Sequence, residues 1–442
     1  MTENALARSL RLRHIAMISI GGVVGAGFFI GASTPISVAG PGALLSYALA
    51  GLMTFLVNLM LRDIALRAPG HGSFVNQIRH ALGGHAGFMT GWTYWLVWVT
   101  TLAIEIMAAA ALLAPLVHLP FGAVEVIILT TMTAANLMAV QAYGEMEYWF
   151  AMLKIAAIAL FIMIGLAAVF HGDGAIHQSF ASPAGLVPHG WMALLAVIPA
   201  IVFSMSGSEV VTIAALESDA PDRNIAKATR AVALRVVGFY LCSVALILCL
   251  VPWSQIVPGE SPFLLVLNRL HVPFASAAME VVIVSAMLST LNSGLYATSR
   301  VLFELADVDD APAQFMRLDP RTQAPRIAVL FSAAAALAIS AIAIASPNTV
   351  FAFLLSATGA LIIFHNALIV LTRIRLCGMG ATPLLTLVLL MGALVAMAMV
   401  AHTRHELALS TVTMMLTGCV ALLRHLMGRA PRRVCSLSRP GR

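Results

Sequence analysis

Gly21-Gly22-Val23-Val24-Gly25-Ala26-Gly27 is the stretch on which the fold turns, and Phe203-Ser204-Met205-Ser206-Gly207-Ser208-Glu209 is its counterpart further along the chain. Each falls near the middle of an apolar run, residues 15–38 and 191–215, long enough to cross hydrocarbon as one helix. Glycine weakens a helix interior by about 1 kcal/mol relative to alanine. In lipid, main-chain N–H and C=O groups must also be satisfied inside the protein, so a span that unwinds persists only where protein or a cavity covers it. If the first ten helices are two repeats of five, these runs hold the first and sixth places, and paired interruptions of that kind point to a transporter site. For the first run alone, close helix packing through Gly21 and Gly25 is the alternative.

The rest of the chain agrees with lipid as its solvent. Of 442 residues, 60% are hydrophobic and 10% are Asp, Glu, Lys or Arg, against about 25% charged in soluble domains. Two soluble domains are excluded. At about 20 residues per span, twelve helices are expected, the first five over residues 15–38, 41–62, 86–113, 121–141 and 147–170. The others are expected over 191–215, 231–252, 272–303, 326–346, 349–373, 381–402 and 406–426. This divides the chain into an N-terminal arm (1–14), a ten-helix core (15–373), two additional spans (374–426) and a basic tail (427–442).

An even number of spans leaves both termini on one side, and 22 of the 25 Lys and Arg residues then fall on that side. By the positive-inside rule both termini are cytoplasmic. Arg269 and Arg404 lie opposite, and Lys154 is placed inside a span. The net charge of +6 therefore reflects membrane orientation, not a nucleic-acid surface. No small-residue cleavage site follows the basic arm of Arg8, Arg11 and Arg13, so the first helix is expected to be retained. Cys242, Cys249, Cys377, Cys419 and Cys435 form no CxxC pair, and Cys242 and Cys249 are expected as small buried thiols. His71, His80 and His85 are too irregularly spaced for a metal centre, in a connector (70–85) with room for a short surface helix. Neither a nucleotide-binding loop nor a nucleophile with a partnering base is seen, so an enzyme is not expected and no cofactor is implied.

Several motifs together resemble one family. The stretch from Arg13-His14-Ile15 through Gly21 to Gly27 and Ala39-Gly40-Pro41 is similar to the first helices of the amino acid, polyamine and organocation superfamily. Gly72-Ser73-Phe74, Gly91-Trp92-Thr93-Tyr94-Trp95, Tyr143-Gly144-Glu145 with Glu147 and Trp149, and Asn292-Ser293-Gly294-Leu295-Tyr296 with Ser299-Arg300 resemble its amino acid permease branch. The resemblance implies an all-α membrane protein with a five-plus-five inverted repeat of the leucine-transporter type, broken helices one and six, and two extra C-terminal helices. Val211-Thr212-Ile213-Ala214-Ala215 with Glu217-Ser218-Asp219 and Pro221 looks most similar to 4-aminobutyrate permeases, while carriers for proline, lysine, histidine and aromatic amino acids share much of the pattern. Arg62-Asp63 departs from the family, where a glutamate usually follows a small residue.

Candidate site residues follow. Main-chain groups of Gly21, Gly22, Gly25, Ala26 and Gly27 are expected to receive a substrate carboxylate, because a helix N-terminus presents N–H donors and the positive end of its dipole. Carbonyls around Phe203, Ser204 and Gly207 are expected to face the ammonium, with Phe203 either closing over the substrate or only packing. Glu105, mid-span, either meets the cationic end of the substrate or is structural; Asn292 either lines the pocket or bonds another helix. Ionisable groups inside a membrane are functional candidates by default. Lys154 is expected to carry the coupling proton, or else to snorkel to the interface. By resemblance it sits where sodium binds in sodium-coupled relatives. Glu209 is the second coupling candidate, with a structural hydrogen bond as its alternative. The expected function is proton-coupled import of an amino acid, with an exchanger or a transport-inactive sensor of the same fold as alternatives.

Overall fold

The computed structural model describes residues 22–68, 72–138, 140–172, 185–214, 237–342 and 347–426, together with positions 17 and 180. Gly21, the connector histidine His71 and the segment from Ala215 to Pro221 lie outside the described residues, as do the arm 1–14 and the tail 427–442. All regular structure among the described residues is helical. In chain order the first elements are α1 (Ala26–Phe29), α2 (Ser33–Ala39), α3 (Ala43–Arg67), α4 (Phe74–Leu82), α5 (Gly84–Val117), α6 (Phe121–Asn136) and α7 (Val140–His171). Next come α8 (Gly190–Ala196), α9 (Ile198–Met205), α10 (Val210–Ala214), α11 (Val237–Leu250), α12 (Pro262–Arg269) and α13 (Ala275–Asp307). The last are α14 (Arg326–Ile342), α15 (Pro347–Cys377), α16 (Ala381–Met399) and α17 (Arg404–Leu426).

Seven stretches among the described residues are long and apolar enough to cross a membrane, and four shorter apolar helices accompany them. The helices sort by exposure. α5 is apolar all round, and its residues from Val97 to Ala110 are buried without exception, as a central core helix requires. It packs against α13 and α15, with α4, α6, α14 and α17 around it. By contrast, α16 turns Val388, Met391 and Val395 outward, and α17 turns out Val412, Met415 and Leu416. Such outward stripes of large apolar residues match hydrocarbon rather than water. Cys242 is exposed and Cys249 half-buried, not buried as expected, because an apolar solvent gives a small thiol no drive toward the core. Polar side chains inside the bundle bond back along their own helix: Thr93, Thr100 and Thr101 donate to the carbonyls of Met89, Leu96 and Val97 at 2.6, 2.9 and 2.8 Å.

Two connectors act as structural parts. Phe74–Leu82 in the first is helical as expected, yet it is tucked in: Phe74, Val75, Gln77, Ile78 and Arg79 are buried. Arg79 pairs with Asp310 just beyond α13, and Arg424 of α17 reaches the same carboxylate at 2.9 Å. α12, which the hydropathy pattern does not announce, starts at Ser261, whose Oγ accepts from Leu264 N at 3.5 Å, with Pro262 at its first position. Phe263 lies 4.9, 5.1 and 4.7 Å from the ring centres of Phe28, Phe29 and Phe161. Gly259 N donates to Ser33 Oγ at 3.0 Å, so this segment covers the far end of α1.

Candidate functional site

Both glycine-bearing runs are interrupted in the structure. Helix stops at Val24 and Gly25 and resumes at Ala26, and it stops again from Ser206 to Glu209, between α9 and α10. The two interruptions meet. Gly207 has φ +109°, a conformation that L side chains rarely adopt, and a Cβ there would lie 2.5 Å from the Gly22 carbonyl oxygen and 3.2 Å from Val23 N. Ser204 Oγ donates to the Gly27 carbonyl at 2.8 Å, tying α9 to α1. Tyr240 on α11 donates to the carbonyl of Ser204.

Glu105 on α5 closes the first interruption. Its two carboxylate oxygens accept from Ala26 N at 3.0 and 2.9 Å, which places a carboxylate against the first amide of α1, where such a group is stabilised. A Cβ at Gly25 would overlap that carboxylate and would meet Thr290 Oγ1 at 2.5 Å. Only glycine lets α5 and α13 come this close. Thr290 also reaches the carbonyl of Val24, at 3.4 Å.

Between the interruptions lies a hollow of about 20 Å3, room for one water-sized occupant. Gly22, Gly27 and Gly207 line it and have only main-chain atoms to present. Glu105, Glu209, Ser204 and Phe203 also line it, so seven of the residues expected at the site converge here. Gly25 and Ala26 border it through their contacts with Glu105. Glu209 folds back on its own loop: its Oε2 accepts from Gly207 N at 3.0 Å and its Oε1 from the Tyr94 hydroxyl at 3.4 Å.

Lys154 and Asn292 are placed apart from the hollow. Lys154 is fully buried on α7, so its side chain does not snorkel to an interface, and it interacts electrostatically with Glu147 and Glu105. Asn292 bonds other helices: it donates to Glu147 Oε2 at 3.2 Å, and its Oδ1 accepts from Asn136 Nδ2 at 2.7 Å. His365 ties α15 to α5 through Thr93 Oγ1 at 2.7 Å. Among the described residues no cluster of His, Cys, Asp and Glu is arranged to hold a metal ion.

Trp98, Thr101, Thr290 and Ile362 line the hollow without having been singled out in the sequence. A usable signal existed for two of them. Thr101 and Trp98 precede Glu105 by four and seven residues, and so share its face of α5.

Comparison with known proteins identifies the family. The sequence profile of the amino acid permease family matches residues 14–423. The gamma-aminobutyric acid permease of Bacillus subtilis is 36% identical, the alignment covering 95% of this chain and 93% of that protein. The gamma-aminobutyric acid permease of Escherichia coli is 37% identical over 84% of this chain and 81% of its own length. The aromatic amino acid transport protein AroP of Corynebacterium glutamicum is 37% identical over 85% and 82%. With two interrupted helices meeting around main-chain groups, and a family match over nearly its whole length, the chain belongs to the amino acid permease family and is a multi-pass membrane transporter, not an enzyme.

Proposed function

We propose that the protein is a proton-coupled importer of a small zwitterion such as 4-aminobutyrate. The meeting of Gly207 with Gly22 beside the Glu105–Ala26 contact carries this proposal. It sets unwound main chain, which can bond a carboxylate and an ammonium, next to ionisable groups that can exchange a proton. The names of the relatives support the substrate class: two are gamma-aminobutyric acid permeases, and a third carries aromatic amino acids.

In this proposal twelve spans form a five-plus-five repeat with two further helices, and both termini are cytoplasmic. Once the Glu105 carboxylate leaves the Ala26 amide, Gly22, Gly25, Ala26 and Gly27 hold the substrate carboxylate, while Ser204, Gly207 and Glu105 meet its ammonium. Lys154 and Glu209 exchange the coupling proton. A hollow of about 20 Å3 is too small for an amino acid, so binding requires α1 and α9 to separate. Phe203 then closes over the substrate.

Uptake of radiolabelled 4-aminobutyrate and L-phenylalanine into proteoliposomes, with and without an imposed pH gradient, tests the proposal. Accumulation that needs the gradient supports import by symport. Exchange that ignores the gradient supports an exchanger, and binding without uptake a sensor.

A further inference from the structure

Glu147 is absent from the residues assigned to the site, yet it is a fully buried acid inside the bundle. It lies seven residues before Lys154 on α7, about 10 Å along the axis. Hydropathy places the start of this span at Glu147 itself, but α7 begins at Val140, which draws Glu147 two turns inside the helix.

Its surroundings are polar and directional. Ser289 Oγ donates to Glu147 Oε1, and Asn292 Nδ2 donates to Oε2 at 3.2 Å. The orientation of Asn292 is settled by Asn136, the last residue of α6. Asn136 Nδ2 donates to the main-chain oxygen of Asn292 at 3.2 Å and so must also meet Asn292 through its Oδ1, at 2.7 Å. Both neighbours on α13 thus present hydrogen to Glu147, an arrangement suited to a carboxylate. The charged groups facing it are Lys154 on its own helix and, beyond the lysine, Glu105 on α5; α13 offers the neutral partners Ser289, Asn292 and Ser293.

Charge balance gives this cluster its chemistry. Two buried carboxylates share one ammonium, so they cannot both ionise without leaving a buried net charge. One proton held among the three groups removes that charge. The members of the cluster follow one another by contact: Ala26 N at the interruption bonds Glu105, Glu105 and Glu147 both interact with Lys154, and Glu147 lies two turns from the start of α7. One turn of α13 touches both ends, since Thr290 reaches the Val24 carbonyl while Ser289 and Asn292 hold Glu147.

We propose that Glu147 is the proton-exit residue of this carrier, taking the coupling proton from Lys154 and releasing it toward the N-terminal end of α7. This rests on the proton-coupled reading above. The lysine ammonium gives its proton to the Glu147 carboxylate, leaving a neutral amine and a carboxylic acid, so the net charge of the buried cluster does not change. Glu147 then releases the proton to water at the helix end, and the resulting carboxylate is held by Ser289 and Asn292.

The test uses the full chain in proteoliposomes, with radiolabelled 4-aminobutyrate and an internal pH dye. Wild-type uptake without proton movement overturns proton coupling itself. Where the wild type is coupled, Glu147→Gln is expected to keep 4-aminobutyrate exchange across equal pH and to lose gradient-driven accumulation by at least about tenfold, with Glu147→Asp restoring much of it. Gradient-driven accumulation equal to wild type in Glu147→Gln overturns the assignment. So does equal loss of exchange and accumulation in a monodisperse Gln variant. Ser289→Ala keeps the acid and removes one donor to its ionised form. Its dependence on internal pH should move up by about one unit, and an unmoved profile overturns the assignment even if Glu147→Gln does not fold.

Discussion

Gly207 rests against the main chain of Gly22, with φ +109° and no space for a Cβ short of 2.5 Å from the Gly22 oxygen. Gly207→Ala must both adopt a disfavoured conformation, at about 1–2 kcal/mol, and push the two interruptions apart. We expect its initial uptake rate to fall at least about tenfold while helix content by circular dichroism stays at the wild-type value. Wild-type uptake in Gly207→Ala would show that the close approach is not needed.

Glu105 satisfies the Ala26 amide with both oxygens, so the two ends of the contact differ in what substitution does. Glu105→Ala leaves a buried N–H unpaired, worth about 1–3 kcal/mol; Glu105→Gln keeps one acceptor and should lose less. Gly25→Ala collides with the same carboxylate. In a thermal-unfolding cycle, Gly25→Ala should cost less in the Glu105→Ala background than in the wild type, since neighbours in contact are not additive. Additive shifts would contradict the geometry.

Asp310 holds Arg79 from one side and Arg424 from the other, and Arg79 and Asp310 are each only 6% exposed. Removing one member of a buried pair costs about 3–5 kcal/mol because it strands the other charge. Asp310→Ala should therefore lower the melting temperature more than Arg424→Ala does, and Arg79→Leu combined with Asp310→Leu should recover part of the loss. A double variant no more stable than Asp310→Ala would count against it.

Asp319, in the loop before α14, shows how acid should open that turn. Its carboxylate accepts from Thr322 N at 2.8 Å and Arg321 N at 3.0 Å and pairs with Arg326 at 3.0 Å, and these contacts, the Thr322 amide foremost, hold it below the usual carboxylate range. A lowered native value means stability that is present above the ordinary Asp range, near pH 3.9, and lost as pH falls through the native value. Pepsin cleavage near Arg321, taken relative to Asp319→Asn at each pH, should rise only below that range. A ratio constant from pH 5 to 2 would contradict this.

The interruptions were legible because glycine in a helix interior is a local signal: Gly207 adopts a conformation that suits glycine by itself, while Gly25 marks the break and only its neighbours Glu105 and Thr290 explain it. The apolar helices were legible for the same reason, through composition alone. Partners were not. Arg79 and Asp310 are 231 residues apart, and nothing local says they pair. Asn292 reads as well for a pocket residue as for a bridge to Glu147. Glu147 itself was hidden because a hydropathy window averages a buried acid together with Tyr148 and Trp149 and returns an interface. Its partners Ser289 and Asn292 arrive from α13, 142 and 145 residues away, and no local pattern announces them.

By itself, then, the sequence determined the solvent of the chain, its long apolar helices and the two places where helix breaks, since each follows from side-chain polarity and backbone freedom over a few residues. Only the tertiary structure decided that Gly22 meets Gly207, that Glu105 caps Ala26, and that Lys154 interacts with both Glu105 and Glu147. Those relations are contacts between distant segments, and an ionisable group in lipid owes its charge state to its neighbours.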